Sequence, residues 1–400
     1  MPARIPGRRT TIKPDDPSAP IFGPTDWTRS VAAASLLADA RHAGALAGVT
    51  RLADITRLDT PGLPVWQAVR PLGRALSVHQ GKGLTADDAK LGALLEAVES
   101  HAAESFDEDG PVCTHDALPP DCRVRHIQDF AAGLSMTVLP ERRRRWTETR
   151  LLSSGRPLFV PFDAVSLDFT RGLPSDVDRA SNGVGTGANR AEAIGVALHE
   201  LIERDAVTEL RAGGLHAGTA ATVLTGTVPF AWFGEWRDRL ARRGITARVC
   251  RAPSITGTPV LTCELDQPSE PDAPYRAVYG QGAHPSPELA LFKALAEAMQ
   301  SRATWIAGAR EDLAPSAYRA RSGLAMVGMG MPLPAGMTGV DWRDIAPGPA
   351  GVPALVAALE DAGFMEVAVV DLARVGRFDV VRAFACGLGS LVRRRRRLSR

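Results

Sequence analysis

"ANRAEAIGVALHELIERDA" occupies Ala188–Ala206. Alanine, leucine and glutamate favour a helix here. At about 100° per residue Glu203 falls roughly 20° around that helix from Glu192, and Glu200 roughly 80°. Three carboxylates therefore share nearly one side of an otherwise apolar helix. A solvated acidic stripe would carry them at little cost. A partly buried face could hold them only opposite cations or hydrogen-bond donors.

The rest of the chain bears on that choice, because the pattern recurs. The spacing Ala-x3-Ala-x2-Glu-x2-Glu/Gln occurs as Ala89, Ala93, Glu96, Glu99, as Ala193, Ala197, Glu200, Glu203, and as Ala290, Ala294, Glu297, Gln300. Each copy follows a Gly-x-Gly: Gly81 and Gly83, Gly185 and Gly187, Gly280 and Gly282. Intervals near one hundred residues are too long for a solenoid. They fit related strand–loop–helix units, with the glycines in loops and the alanines letting helices approach one another. Polar positions three apart share one helix face, so three such helices could gather Glu96, Glu99, Glu200, Glu203, Glu297 and Gln300 around one cleft. That many carboxylates would repel one another without a compensating ion. Mg²⁺, a hard cation held by carboxylates together with substrate phosphates, suits them. Cations stand nearby: Lys82 in "HQGKGLT", Arg204 directly after Glu203, and Lys293 one turn before Glu297. Lysine is scarce, with Lys13, Lys82, Lys90 and Lys293 the only four, so two of them fall beside this pattern.

Bulk properties narrow the class. A chain of 400 residues with 45% hydrophobic and 23% charged residues reads as a globular protein of one large domain with an appendage, or of two domains. The net charge of +2 gives no general pull toward nucleic acid or membranes. No apolar run approaches a membrane span, and "MPARIPGRRTTIKPDDPSAP" lacks a signal-peptide core, so a cytoplasmic location is expected. Cys113, Cys122, Cys250, Cys263 and Cys386 show neither zinc spacing nor a nucleophile signature. No Walker A motif is completed at Lys82, and "GVGTGANRAEA" has Asn189 and Arg190 where a Rossmann glycine belongs. His199 in "HELIERD" has no second histidine at metalloprotease spacing, and reads as a polar position beside the acids. His284 in "GQGAHPSPE" reads as a loop residue before a helix.

Residues 1 to about 25 are Pro-rich and polar and are expected to be disordered or loosely attached. "DWTRSVAAASLLADARHAGA" predicts a helix ending near Gly44, and a second runs from about Thr85 to Ser105, with Thr85, Asp87 and Asp88 at its start. "PVWQAVRPLGRALSVHQGKG" reads as a strand leading into a glycine-bracketed loop. "RPLFVPFDAVSLDF", "ITARVCRAPSITGTPVLTCEL" and "MEVAVVDLARVGRFDVVRAFACG" supply further strands. "ERRRRW", Glu141–Trp146, is expected on a solvated face or loop. Helices and strands mix without a strict βαβ rhythm, so the fold class is α+β rather than doubly wound.

On "AGVTRLADITRLDTPGLPVWQAVRP", "GKGLTADDAKLGALLEAVESHAAE", "SNGVGTGANRAEAIGVALHELIERDA" and "GQGAHPSPELALFKALAEAMQSRATWIAGAREDL", the sequence resembles the YcaO family, and within it the branch that travels with TfuA proteins. "VAVVDLARVGRFDVVRAF" is a looser match. The resemblance implies a YcaO-like domain over residues 47–385, after an N-terminal extension 1–46 and before a basic tail 386–400. It implies ATP and Mg²⁺ as cofactors, with phosphorylation of a peptide-backbone amide oxygen so that a nucleophile can replace it. Glu96, Glu99, Glu200 and Glu203 correspond to Mg²⁺ ligands. Glu192, Arg204 and Glu297 correspond to nucleotide and phosphate contacts, with Lys82, Asn182 and Lys293 beside them. Three departures stand out. Ala188 occupies the position where the family usually has Asn, Lys293 one where many members have Arg, and Cys386 and Gly389 replace the Pro and Glu of a "VPGLE"-like ending.

The implied product is a thioamide, made with a TfuA-like partner and a sulfur donor, or else an azoline ring formed from a Cys, Ser or Thr side chain of a peptide substrate. No winged-helix peptide-binding module is evident before residue 47, which points to recognition through a partner; a homodimer is a further option. A non-catalytic scaffold that has kept the fold is the alternative from another class. Nucleic-acid binding through "RRRRR", Arg393–Arg397, is the weakest reading at near-neutral net charge, and that run is expected to be a solvated or disordered tail.

Overall fold

Each sequence repeat becomes an edge strand followed by a long helix in the computed structural model, which describes residues 23–24, 32–132, 136–172, 176–212, 220–270, 273, 275–313, 318 and 337–389. The first pair is β3 (Val78–Lys82) and α2 (Ala86–Ser105), the second β7 (Val184–Gly187) and α3 (Arg190–Ala212), the third β11 (Ala277–Ala283) and α5 (Pro287–Ala307). Thr85 caps α2 by accepting from Asp88 N–H while the Asp88 carboxylate accepts from Thr85 N–H, a reciprocal capping box. Ser286 caps α5 with Pro287 in its first turn, and Gly308, at φ 59°, ends it in the left-handed conformation.

The glycines therefore differ from their expected role: all but Gly83 lie within strands. A Cβ at Gly81 would collide with the backbone of Ala89 and Ala93, one at Gly185 with Ala193 and Ala197, and one at Gly280 with Ala294 and Ala298. The alanines, all with essentially no exposure, likewise do not serve the approach of helix to helix. They are the floor on which the glycine strand of the same unit lies. Glycine on the strand and alanine on the helix are one device, close contact of two backbones, written twice in the sequence.

The paired edge strands belong to three different sheets. β1 (Arg51–Asp54), β2 (Val65–Val69) and β3 form an antiparallel sheet. The second has the order β11, β10 (Val260–Asp266), β9 (Thr246–Arg251), β8 (Ala221–Val223), β12 (Gly339–Val340), with only β12 parallel to its neighbour. The third runs β4 (Val112–Cys113), β5 (Arg144–Leu151), β13 (Val367–Val375), β14 (Phe378–Ala385), β7, with β6 (Pro157–Pro161) also on β5. "PVWQAVRPLGRALSVHQGKG" is thus two strands, not one. The α+β class holds.

Helix α3 fills the space between the two larger sheets together with α6 (Val352–Asp361). Leu198, Ile202 and Leu210 pack there with Cys250 and Val260 from one sheet and Val369, Val381 and Ala383 from the other. Each such aliphatic chain stabilises the fold by about 1.5–3 kcal/mol relative to exposure. The outer face of the second sheet carries α4 (Ala231–Ala241) and α5, with Trp232, Phe233 and Trp236. The first helix, α1 (Ala33–Leu46), buries Leu36, Ala40 and Ala43 with Leu91, Leu94 and Leu95 of α2. The core thus begins at α1, inside the segment set apart as an extension, while residues 1–22 and 25–31 lie outside the described residues.

"ERRRRW" departs from the solvated reading. Arg144 starts β5, is buried, and pairs with Asp176 at 3.2 Å; Arg145 pairs with Asp107 at 2.8 Å and stacks its guanidinium on the Phe162 ring. An extended backbone alternates its side chains, so the run cannot all face water once β5 joins a sheet. Past β14, Cys386–Gly389 turn back onto α3, where Gly389 N–H donates to Asp205 Oδ1 at 2.7 Å. Arg393–Arg397 lie outside the described residues.

Candidate functional site

The three units interlock through the residues singled out by the repeat. Glu203 of α3 reaches the next unit and accepts from the Ala283 N–H at the end of β11, 2.9 Å away. From β3, Lys82 crosses to Glu297 of α5, Nζ to Oε2 3.3 Å. Gln300 of α5 donates to the Gln80 side chain at 3.3 Å, and Gln80 N–H holds Glu96 Oε2 at 2.6 Å. Glu200 accepts from Gly183 N–H at 3.2 Å and pairs with Arg204 at 3.6 Å. Three carboxylates, Glu96, Glu200 and Glu203, are thus each fixed by one backbone N–H from a strand or the residue before it.

The electrostatics identify this as a strained acidic centre rather than a solvated stripe. Burial pushes Glu96 above the usual carboxylate range, opposed by the Gln80 N–H and the charges of Arg310 and Lys82. Burial raises Glu200 to about 7. Glu203 is raised by burial and next by Glu297, with Lys293 and Arg204 opposing. Burial would lower the Arg204 guanidinium, but Glu200, Glu203 and Glu297 outweigh it and the net shift is upward. Yet Glu200 and Glu297 keep 25% and 30% of their side-chain exposure, so protein walls surround them without sealing them from solvent. Such a cleft leaves buried carboxylates open to a cation from solvent.

The sequence-derived set divides on this geometry. Glu96, Glu200, Glu203, Glu297, Lys82 and Arg204 are joined by contacts or by mutual electrostatic effect. Glu99 lies about one turn along α2 from Glu96 and is half-buried. Lys293 donates to Ala283 O at 3.0 Å, the same residue whose N–H holds Glu203. Asn182 precedes Gly183 and lines a neighbouring cavity with Arg204. Glu192 stands apart: its carboxylate accepts from Ala188 N–H at 3.2 Å, Asn189 accepts from Glu192 N–H at 3.0 Å, and the pair closes the start of α3. Eight residues put about 12 Å of helix between it and Glu200. Ala188 and Asn189, the shifted pair of the sequence, thus form a local cap. His284 stacks on His199 at 6.1 Å beside Lys293, and burial lowers both imidazoles to about 4.

Sequence reasoning missed Arg310, whose guanidinium is gripped by Asp312 at 3.0 and 2.6 Å and acts on Glu96. It lies beyond α5, outside the repeat, so no periodicity marked it. The backbone donors of Gln80, Gly183 and Ala283 have no side-chain signature at all.

All candidate metal donors are carboxylate oxygens, the ligand type of Mg²⁺. Among the described residues no three His, Cys, Asp or Glu side chains are arranged to hold a metal by themselves. Mg²⁺ ordinarily takes one or two carboxylates and completes its octahedron with water and phosphate oxygens, which the present donors fit.

Comparison with known proteins places the chain in a family. The sequence pattern of the YcaO family, described as an ATP- and Mg²⁺-binding cyclodehydratase, matches residues 80–389. The chain belongs to the YcaO family. It is 31% identical over 283 residues to an uncharacterised protein in the tfuA 3′ region of Rhizobium leguminosarum bv. trifolii, covering 68% of this chain and 66% of that protein, just under two thirds. An uncharacterised protein of Methanothermobacter thermautotrophicus is 32% identical over 286 residues, covering 69% of this YcaO chain and 71% of the relative. Among solved structures, YcaO from Methanopyrus kandleri bound with AMPPCP and Mg²⁺ superimposes with a TM-score of 0.67 at 23% identity, covering 90% and 92% of the two chains. A heterocyclase in complex with substrate and cofactor gives 0.62 at 19% identity over 85% of this chain and 50% of that one. At these identities the structures share the fold. No helix among the described residues is long and apolar enough to cross a membrane.

Proposed function

We propose that this YcaO protein uses ATP and Mg²⁺ to phosphorylate the oxygen of a peptide-backbone amide, for thioamide formation with a TfuA-like partner. The observation that carries the reading is the acidic centre shared by α2, α3 and α5, where burial raises Glu96, Glu200 and Glu203 even though Lys82, Arg204, Lys293 and Arg310 oppose the shift. Glu96, Glu99, Glu200 and Glu203 would hold Mg²⁺, with Lys82, Asn182, Glu192, Arg204, Lys293 and Glu297 around the nucleotide. Bound there, Mg²⁺ would neutralise charge on the phosphates as the phosphoryl group moves. Arg204 and Lys82, each engaged with a carboxylate, are positioned to exchange that partner for a phosphate oxygen.

An amide oxygen is a weak nucleophile, and oxide a poor leaving group. The amide oxygen attacks the γ-phosphorus and ADP departs. Hydrosulfide then adds to the activated carbon, and phosphate leaves with the former amide oxygen. Amide, ATP and hydrosulfide become thioamide, ADP and phosphate. The protein's work in such a transfer is positioning and charge stabilisation. The location of the Rhizobium relative in the tfuA 3′ region favours the sulfur route. The cyclodehydratase description of the family favours a second reading, attack by a Cys, Ser or Thr side chain to give an azoline.

The test is an ¹⁸O transfer. A peptide labelled at its backbone carbonyl is incubated with the enzyme, ATP, Mg²⁺, sulfide and the TfuA-like protein. Phosphate carrying one ¹⁸O, with the labelled peptide gaining about 14 Da by exchange of ¹⁸O for sulfur, is the expected result. Loss of water without sulfur selects the azoline. ATP hydrolysis with unlabelled phosphate and unchanged peptide contradicts amide activation.

A further inference from the structure

Arg310 brings to the acidic centre a charge that the sequence repeat does not supply. Strand β3 shows how it enters. Lys82, at the end of the strand, meets Glu297. Gln80, in its middle, meets Gln300 through its side chain and Glu96 through its N–H. Ser77, just before the strand, donates its N–H to the Glu311 carboxylate. Helix α5 and the residues after it therefore run beside β3 in the opposite direction. Arg310 arrives at the Ser77 end and Lys82 stands at the other, with Glu96 held between them at Gln80. Both charges act on Glu96.

The guanidinium is fixed on one edge only. Asp312 accepts from Nε at 3.0 Å and from Nη2 at 2.6 Å. Among the described residues Nη1 makes no hydrogen bond, and it is not enclosed, since 18% of the side chain reaches solvent. Lys82 and Arg204 are each paired with a carboxylate of the centre, whereas among the described residues Arg310 pairs with Asp312 alone. A carboxylate that grips one edge of the fork orients the remaining N–H groups toward a second anion. The surroundings limit what that anion can be. Glu96 and its neighbouring carboxylates repel a bare anion. An anion that arrives with its own metal ions is not repelled, and it needs donors on the oxygens that the metal leaves uncovered. A phosphate chain is such an anion.

We propose that Arg310 is a further phosphate-binding residue of this site, its Nη1 donating to a phosphate oxygen of the Mg²⁺-bound nucleotide opposite Lys82, with Asp312 holding the guanidinium in place. This rests on the reading of the acidic centre as the nucleotide site, and it adds a cation from outside the three repeats. A guanidinium fixed there stabilises charge on the phosphates without having to reorganise.

The test is calorimetric titration of the full chain with Mg²⁺ alone and with AMPPCP in the presence of Mg²⁺. Wild type, Arg310→Met and Arg310→Lys are compared, each with its unfolding midpoint. The two titrations separate a phosphate contact from a mere counter-charge for Glu96. Removing a cation beside Glu96 favours Mg²⁺ by itself, whereas removing a phosphate donor weakens AMPPCP. The expected result is Arg310→Met binding Mg²⁺ alone at least as tightly as the wild type, and AMPPCP at least tenfold more weakly. Arg310→Lys, which keeps the charge but not the fork, should fall between. AMPPCP affinity equal to or above that of the wild type in Arg310→Met overturns the assignment, leaving a counter-charge. So does loss of both Mg²⁺ and AMPPCP by a folded Arg310→Met, the mark of a residue that only props Glu96. If Arg310→Met does not fold, Arg310→Lys decides: AMPPCP affinity at least threefold lower with Mg²⁺ binding unchanged supports the contact, and unchanged AMPPCP affinity overturns it. Failure of the wild type to bind AMPPCP with Mg²⁺ at all would instead overturn the nucleotide site on which the inference rests.

Discussion

Replacing Glu200 with Gln should make the ligand-free protein more stable above neutral pH while weakening its hold on Mg²⁺-nucleotide. Burial raises the Glu200 carboxyl from 4.5 to about 7. Below pH 4.5 it is protonated in both folded and unfolded chains and contributes no difference. Between pH 4.5 and 7 the unfolded chain loses the proton first, so stability falls as pH rises; above pH 7 the full penalty is present. At 1.36 kcal/mol per pKa unit this is about 3 kcal/mol. Gln keeps an oxygen for the Gly183 N–H and removes the charge, so it should abolish this part of the decline. Arg204 loses a partner at 3.6 Å, but 44% of its side chain is exposed and Glu203 and Glu297 still act on its charge, so that loss offsets little of the gain. Thermal unfolding of both proteins at pH 5 and pH 8 reads the effect: near-equal midpoints at pH 5, and a higher midpoint for Glu200→Gln at pH 8. Calorimetry with AMPPCP and Mg²⁺ should show the opposite order of affinity. In the wild type, nucleotide affinity should drop about tenfold from pH 8 to pH 6 as this one carboxylate takes up its proton. A variant equally or less stable at pH 8, with nucleotide affinity unchanged, would refute the assignment of Glu200 as a charge held for a cation.

Three further outcomes follow from the same geometry. Gly280→Val drives a side chain into the backbone of Ala294 and Ala298, and should cost more than about 3 kcal/mol, seen as loss of the cooperative unfolding transition. Lys82→Met keeps length and removes the charge that meets Glu297; nucleotide affinity should fall about tenfold while the unfolding midpoint moves little, since the ion pair is part-exposed. The imidazoles of His199 and His284, lowered to about 4 by burial with Lys293 opposing their charge, should show no titration between pH 5.5 and 8 by NMR; a step near pH 6.5 would contradict their packing.

The helical repeat and its acids were legible in the sequence because both are carried by side chains at fixed spacing. Glu203 reaching Ala283 and Lys82 reaching Glu297 follow once three such helices meet. The role of the glycines was not legible. Gly-x-Gly reads equally as a turn or as a strand pressed on a helix, and only the alanine backbones beneath Gly81, Gly185 and Gly280 decide. Arg144 was misplaced because four consecutive arginines look solvated until the alternation of β5 turns one inward against Asp176. Glu192 shares a helical face with Glu203, and one of its carboxylate oxygens accepts from Ala188 N–H at the helix start, a contact set by the turn that precedes α3. The cavity beneath the C-terminal turn brings together residues from five separated segments, and no local pattern announces such a place.

We propose that α2, α3 and α5 enclose a site for nucleotide together with Mg²⁺. Calorimetric titration of AMPPCP into the wild type and into Glu203→Ala, each with and without Mg²⁺, addresses it most directly. Binding by the wild type that requires Mg²⁺ and is lost in a folded Glu203→Ala is the predicted result. Equal binding by both proteins, or no binding by the folded wild type, would contradict it.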